Sequence, residues 1–196
     1  MYTHLCQSNK KRKKQYGSRD KRGQIRNRVS IDESPAIVAE KTRIGDWEID
    51  TVIGQNHPGA LVTIVDRVSK FTLIKKVDSK HAEVVTAATI ILLQPYLDKA
   101  LITADNGKEF ARHETIKERL NIDVYFAHPY HSWERGLNEN TNGLIRQYFT
   151  KGSSFENITD DEVAAVMNKL NHRPRKTLHF KTPHAVFFAE SLQDAA

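Results

Sequence analysis

The chain has 196 residues, 39% of them hydrophobic and 28% charged, with a formal net charge of +6 and a single cysteine. That length suits one domain of ordinary size plus an extension, with enough apolar content to bury a core. No apolar run reaches membrane-spanning length, the start Met1-Tyr2-Thr3-His4 lacks the charged-then-apolar order of a signal peptide, and Cys6, alone beside His4, offers neither an internal disulfide nor a good zinc site. These exclusions point to a cytoplasmic protein with no membrane partner.

The charge is unevenly spread. Residues 1–30 hold ten Lys and Arg against one acid, a net +9, while residues 31–196 hold the other 20 basic and 23 acidic side chains, a net −3. Residues 1–34 therefore read as a basic flexible arm or linker, attracted to phosphate backbones through counterion release. A solvated solubility tail is the plainer alternative. The globular domain is expected over residues 35–196.

In chain order, residues 47–54, 60–67 and 71–77 have the composition of strands, and the short turn through Ser69 and Lys70 predicts that the last two pair as a hairpin. Residues 83–93 carry an apolar stripe at helical spacing, with Ser79 as an N-cap and Pro95 near the exit. A short buried strand over residues 100–104 leads into Asp105. A helix over 108–120, a fifth strand over 123–127, a longer helix over 134–149 and a last helix over 160–170 follow, ahead of the basic stretch Asn171-His172-Arg173-Pro174-Arg175-Lys176. Three strands, helix, strand, helix, strand, helix is the order of a ribonuclease-H-like α/β domain, a mixed five-stranded sheet flanked by helices.

Three acids stand at telling places in that order. Asp50 ends Trp47-Glu48-Ile49-Asp50, Asp105 follows the fourth strand, and Glu139 comes after 33 intervening residues on the long helix. With the first strand central and the fourth beside it, Asp50 and Asp105 are expected on neighbouring strands, and a helix packed across them supplies Glu139. Hard divalent cations prefer oxygen ligands, and two such ions clamp the attacking and leaving oxygens of a phosphate displacement. Each acid also has an ordinary reading: Asp105-Asn106-Gly107 is a common tight turn, Asp50 a polar residue on the wetter side of a strand, Glu139 a helix surface acid. Asp66, a rival carboxylate at the hairpin turn, reads as structural. On the long helix, Asn142, Gly143 and Arg146 are expected to share the face of Glu139, opposite Leu137, Leu144, Ile145 and Tyr148.

The stretches from Ile44 to Val52, Asp105-Asn106-Gly107-Lys108-Glu109-Phe110, Pro129 to Gly136, and Asn138-Glu139-Asn140-Thr141-Asn142-Gly143 running on to Phe149 resemble the core of bacterial insertion-sequence transposases of the IS-thirty family, within the Asp-Asp-Glu integrase superfamily. The likeness runs from about residue 24 to residue 188. It implies an integrase-type catalytic core over residues 35–196, in which Asp50, Asp105 and Glu139 are the catalytic, metal-binding triad, holding two Mg2+ or Mn2+ ions. Arg146 matches a basic residue often found seven positions after the glutamate. The family's N-terminal helix-turn-helix has no counterpart of the right length or periodicity before Ser30. Glu134 and Leu137 stand where many members have Gln and Thr, and Thr150 where Pro is common.

The implied activity is cleavage of DNA at element ends and strand transfer into target DNA, without a covalent enzyme intermediate. Element ends and target DNA are the implied partners, met by at least a homodimer in a cytoplasmic, nucleoid-associated setting. Lys108, Asn142, Arg135 and Arg146 are candidate DNA contacts near the acids, Trp133 and Tyr130 candidate base-stacking rings, and Arg173, Arg175 and Lys176 a second phosphate-facing patch. Trp133 as a cap on the core, Arg146 in a surface ion pair, Asn106, Asn138 and Asn142 as local caps, and a solvated turn about Pro174 are the alternatives. At the level of the whole chain, the alternatives are a metal nuclease on the same fold, which cuts without joining, and a non-catalytic DNA-binding remnant.

Overall fold

Period-two alternation along the central strands sorts side chains onto the two faces of one sheet. In a computed structural model, which describes residues 25–55, 59–96, 101–129 and 131–193, the strands are β1 (Val29–Ser30), β2 (Asp46–Ile53), β3 (Ala60–Asp66), β4 (Thr72–Val77), β5 (Leu101–Ala104) and β6 (Asp123–Phe126). They run in the order β1-β6-β5-β2-β3-β4. Strands β2, β3 and β4 form an antiparallel meander, and β5, β6 and β1 add to it in parallel. The expected hairpin forms, and the first expected strand lies beside the fourth.

The sheet has six strands instead of five. Strand β1 comes from the segment assigned to the flexible arm: Ile25 is buried, and Val29 and Ser30 pair with Tyr125 and Phe126. Residues 25–34 thus join the fold ahead of the expected boundary, because an apolar anchor and a sheet edge outweigh the local charge. The part of the arm before Ile25, with His4 and Cys6, lies outside the described residues, as do Tyr130 and the side chain of Trp133.

Among the described residues the helices are α1 (Ala36–Glu40), α2 (Ala82–Leu93), α3 (His113–Leu120), α4 (Gly136–Ile145), α5 (Asp160–Asn171) and α6 (Pro183–Gln193). One face of the sheet packs Trp47, Ile49, Val62, Ile64 and Ile102 against α2, α3 and α6. The other packs Val52, Leu61 and Ile74 against Ile145 at the end of α4, Phe149 and Phe155 of the segment that follows it, and Val163, Val166 and Leu170 of α5. Each such fully buried aliphatic or aromatic side chain contributes roughly 1.5–3 kcal/mol. No helix among the described residues is long and apolar enough to cross a membrane.

Several boundaries shift for local reasons. Helix α2 begins after His81, with Glu83 in its first turn, and Ser79 makes no cap. The helix expected over 108–120 breaks into a 3-10 turn at Lys108–Phe110 and α3, because Arg112 leaves helical geometry while Glu109 and Phe110 turn into the core. The helix expected over 134–149 is likewise a 3-10 turn at Ser132–Arg135 followed by α4, which stops at Ile145. Helix α5 starts on a capping box, Thr159 with Glu162. Helix α6 was not anticipated; its Pro183 follows Thr182, whose hydroxyl accepts from the Ala185 N–H at 3.1 Å. Its Phe187 stacks on Phe71 with ring centres 4.6 Å apart.

Candidate active site

Alternation places Trp47 and Ile49 of β2 in the apolar core, so Glu48, Asp50 and Val52 point to the α4 face. On β5 the same rule puts Ile102 and Ala104 in that core and Thr103 on the α4 face, with Asp105 next in phase just past the strand end. The parallel register pairs Trp47 with Ile102 and Glu48 with Thr103. Continued by two residues, it sets Asp50 level with Asp105 across strands about 4.8 Å apart.

A single guanidinium joins the two carboxylates. Arg135 reaches Oδ2 of Asp50 with Nη2 at 3.2 Å and Oδ2 of Asp105 with Nη1 at 3.1 Å. The other oxygens are committed locally: Oδ1 of Asp50 accepts from the Thr51 N–H at 2.8 Å, and Oδ1 of Asp105 from the Gly107 N–H at 2.7 Å. Asp105 therefore does form the tight Asx turn, and the turn aims its outer oxygen at the site. A Cβ at Gly107 would lie 2.5 Å from a Glu109 carboxylate oxygen and 2.7 Å from Oδ1 of Asp105, so any larger residue there must displace one of these carboxylates. Burial pushes the Asp50 carboxyl above its ordinary range; the Arg135 charge opposes the rise and the Asp105 charge adds to it. An ionised Asp50 is costly here, and a cation between the two acids is what offsets the cost.

Helix α4 crosses this face. Asn142 donates from Nδ2 to Oδ2 of Asp50 at 2.8 Å, and the Thr63 hydroxyl donates to the Asp50 carbonyl at 3.2 Å. Glu139, three residues earlier, is exposed in the first turn of α4, one helical step from Asn142. No group of three or more His, Cys, Asp or Glu among the described residues stands ready-made to hold a metal ion. The structure thus joins Asp50, Asp105, Arg135 and Asn142 in one network, with Glu139 on the adjoining turn of the helix.

The remaining expected residues fall in three places. Lys108 is exposed, three residues past Asp105. Arg146 lies beyond the end of α4, where its Nη2 donates to the Ile53 carbonyl at 2.6 Å and its guanidinium sits 5.4 Å over the Phe155 ring. Arg173 donates to Gln147 at 3.2 Å, and Arg175 donates to the Leu170 carbonyl at 3.0 Å, while Lys176 is exposed. Asn106 ties the Asp105 turn to the Ala127 carbonyl at 2.7 Å and accepts from Arg28. Asp66 is structural: it accepts from the N–H groups of Gly45, Val68 and Ser69 and from the Ser69 hydroxyl.

Some supporting residues were not singled out from the sequence. Glu48 is buried; one oxygen pairs with Arg67 Nε at 3.0 Å and the other accepts the Asn138 N–H at the start of α4 at 3.2 Å. Arg67 goes on to the Glu134 carbonyl at 2.9 Å. Glu109 accepts from the Thr51 hydroxyl at 3.0 Å. The readable signal for Glu48 is an acid two residues before Asp50, on the same strand face. His128 braces the loop that delivers Arg135: Nδ1 meets Glu134 at 2.9 Å and Nε2 meets Asp32 at 2.8 Å. The bonds to Glu134 and Asp32 raise the His128 pKa above its ordinary value of 6.5.

Residues 41–132 match the integrase core domain family. The chain is 52% identical over 167 residues to the transposase for insertion sequence element IS4351 of Bacteroides fragilis, covering 85% of this chain and 51% of that protein. It is 40% identical over 165 residues to the transposase InsI for insertion sequence element IS30A of Escherichia coli (strain K12), covering 83% of this chain and 43% of that one. The chain thus spans about half the length of the curated relatives it matches. Among solved structures it is similar to the catalytic core domain of BIV integrase, with a TM-score of 0.61 at 17% identity, over 78% of this chain and 99% of that one. It is also similar to a chain of the simian T-cell lymphotropic virus intasome, with a TM-score of 0.58 at 20% identity, over 72% of this chain and 53% of that one. Over about half of their length the chain is thus similar to insertion-sequence transposases, IS30 among them, and it matches the integrase core domain on a ribonuclease-H-like fold.

Proposed function

We propose that this chain is the catalytic core of a transposase that cleaves DNA at element ends and transfers the cut strands into target DNA. The observation that carries the reading is the Asp50–Asp105 pair, set level on neighbouring strands and close enough for one guanidinium to contact both. Asp50 and Asp105, with Glu139 from α4, are the residues that would hold divalent cations, Mg2+ or Mn2+, and the all-oxygen donor set and the cation-demanding Asp50 suit them. Two such ions, when bound, activate the attacking oxygen and stabilise the leaving oxygen of an in-line phosphoryl transfer.

The chain's own groups then have distinct tasks. Asn142 orients Asp50, and the Asx turn at Gly107 orients Asp105. Arg135 supplies the acids with positive charge in the resting chain; with divalent cations held by the acids, its guanidinium would be free to pair with a DNA phosphate. Lys108 and the basic patch at Arg173, Arg175 and Lys176 extend the phosphate-binding surface on either side, and the basic segment before Ile25 adds non-specific attraction. Two element ends must be joined to one target, so the active form is at least a homodimer on DNA, acting in the cytoplasm at the nucleoid.

A strand-transfer assay with Mn2+, pre-nicked end DNA and a supercoiled target tests the assignment. Joined product is expected from the wild-type chain and none from Glu139→Gln. Joining that persists in Glu139→Gln overturns the triad, and cutting without joining by the wild type favours a simple nuclease.

A further inference from the structure

Beyond the acids, α5 and α6 flank a loop whose charge is one-sided. Between Glu162 and Glu190 the sequence has five Lys and Arg (Lys169, Arg173, Arg175, Lys176 and Lys181) and no acid. At its tip stands Phe180, 72% exposed and the most exposed large hydrophobic side chain among the described residues. Solvent exposure of a ring that size is unfavourable for the isolated chain.

The backbone holds that ring out by construction. Arg175 N–H donates to the Lys181 carbonyl at 3.0 Å, and the Arg175 carbonyl accepts from Leu178 at 3.0 Å and Phe180 at 2.9 Å, closing the loop on itself. His179 and Phe180 both lie in the left-handed region, at φ 51° and 63°. Two successive non-glycine residues there, one of them a bulky aromatic, are uncommon and persist only where surrounding bonds impose them. The loop is also tied to the catalytic helix: Arg173 donates to Gln147, just past the end of α4, and Lys169 Nζ lies 5.6 Å over the half-exposed ring of Tyr148. Gln147 stands five residues along the chain from Asn142, which bonds Asp50.

We propose that this loop is a single-strand nucleic-acid contact, in which Phe180 stacks on an unpaired base while Arg173, Lys176 and Lys181 hold the flanking phosphates. An exposed ring on a backbone held by its own hydrogen bonds, in a stretch of chain with cations and no acid, is the arrangement that binds bases through their π-faces and the backbone through charge. The polyanion is favoured over an apolar protein partner because the cations that share this loop with the ring, Arg173, Lys176 and Lys181, would have to be desolvated against it. The proposal rests on the reading of the chain as a DNA-acting core. It adds a grip on the strand separated near the cut, outside the metal-binding acids.

The test is binding of the whole chain to an oligothymidylate carrying one 2-aminopurine, read by fluorescence at two salt concentrations. Phe180→Ala is expected to weaken binding roughly 5- to 150-fold, the range for losing one base–aromatic stack, by a similar factor at both salts. Phe180→Trp restores affinity and 2-aminopurine quenching. Lys176→Ala is expected to lower the slope of log affinity against log salt by about 0.7, the loss of one single-strand phosphate contact. Unchanged affinity in Phe180→Ala overturns the proposal, and so does an altered oligomeric state with affinity intact, which assigns the ring to a second copy of the chain. Binding is read without catalysis, so a wild-type chain that binds in this way but neither cuts nor joins strands sinks the active-site reading and leaves this one standing.

Discussion

The two faces of the sheet are built from the same strands by opposite rules. On the face covered by α2, α3 and α6, Trp47, Ile49 and Phe71 pack with Phe187 and Tyr96 into an aromatic cluster. On the face crossed by α4, the intervening residues of β2 are Glu48 and Asp50, and the helix turns Asn138 and Thr141 inward beside Ile145. The first face derives its stability from area, which tolerates small shifts. The second joins an apolar cluster around Leu61 and Phe155 to paired charges and hydrogen bonds around Glu48 and Asp50, which fix positions and fail when one partner is lost. A catalytic centre needs the second kind, and the first carries the free energy to sustain it.

Substitutions can separate the two. The largest effect is expected at Glu139, where Gln removes a charge from an exposed helix position: strand transfer is lost while the thermal midpoint stays within a degree or two, as for most surface changes. A melting transition that collapses with the activity would mean the residue is structural. Next come Trp47→Ala and Glu48→Ala, each costing about 3–5 kcal/mol by denaturant unfolding, one through a cavity and the other by stranding Arg67. Their activities should diverge: at a temperature where both are folded, Trp47→Ala keeps its specific activity and Glu48→Ala loses it, since Glu48 seats the start of α4. Equal activities would erase the distinction between the faces.

Smaller still is the effect of Arg135→Ala on the resting chain. Removing a cation that competes for Asp50 and Asp105 is expected to tighten Mn2+ binding about tenfold by calorimetry, equivalent to one charge-assisted hydrogen bond of ~1.5 kcal/mol. Weaker Mn2+ binding would make Arg135 a support for the ions instead of their competitor. The least effect belongs to His128. Its pKa is raised in the fold, so its bridge to Glu134 and Asp32 is fully present below the ordinary value of 6.5 and is lost as pH rises through the raised one. An NMR titration should place the His128 midpoint above 6.5 and Asp32→Asn should lower it; a midpoint at or below 6.5 would remove the bridge.

The central architecture was legible because it follows from local rules. Period-two alternation and strand order suffice to predict that Asp50 and Asp105 meet, since both depend on residues next to one another in sequence. The environment of Arg135 was not legible. Its position between the acids depends on the loop from His128 to Glu134, braced against Asp32 from the far edge of the sheet, a contact that no periodicity announces. Arg146 shows a different limit. A helical projection puts it on the face of Glu139, and as the C-cap of α4 it keeps helical dihedrals and an N–H bond to the Asn142 carbonyl, but its guanidinium is occupied by the Ile53 carbonyl and the Phe155 ring. Helix α6 did carry a readable start in Thr182-Pro183, and β1 did not, because two residues are too short to show a period.

That two-residue strand has a consequence in time. Val29 pairs with Tyr125, 96 positions along the chain, and such a contact pays a large loop-closure entropy for very few hydrogen bonds. It can form only once β6 is already docked, so it belongs to the last steps of folding. By the same token it is the first part of the sheet to open. Each opening also undoes the bond from Arg28 to Asn106, so the turn that carries Asp105 is loosened by excursions of the β1 edge of the sheet.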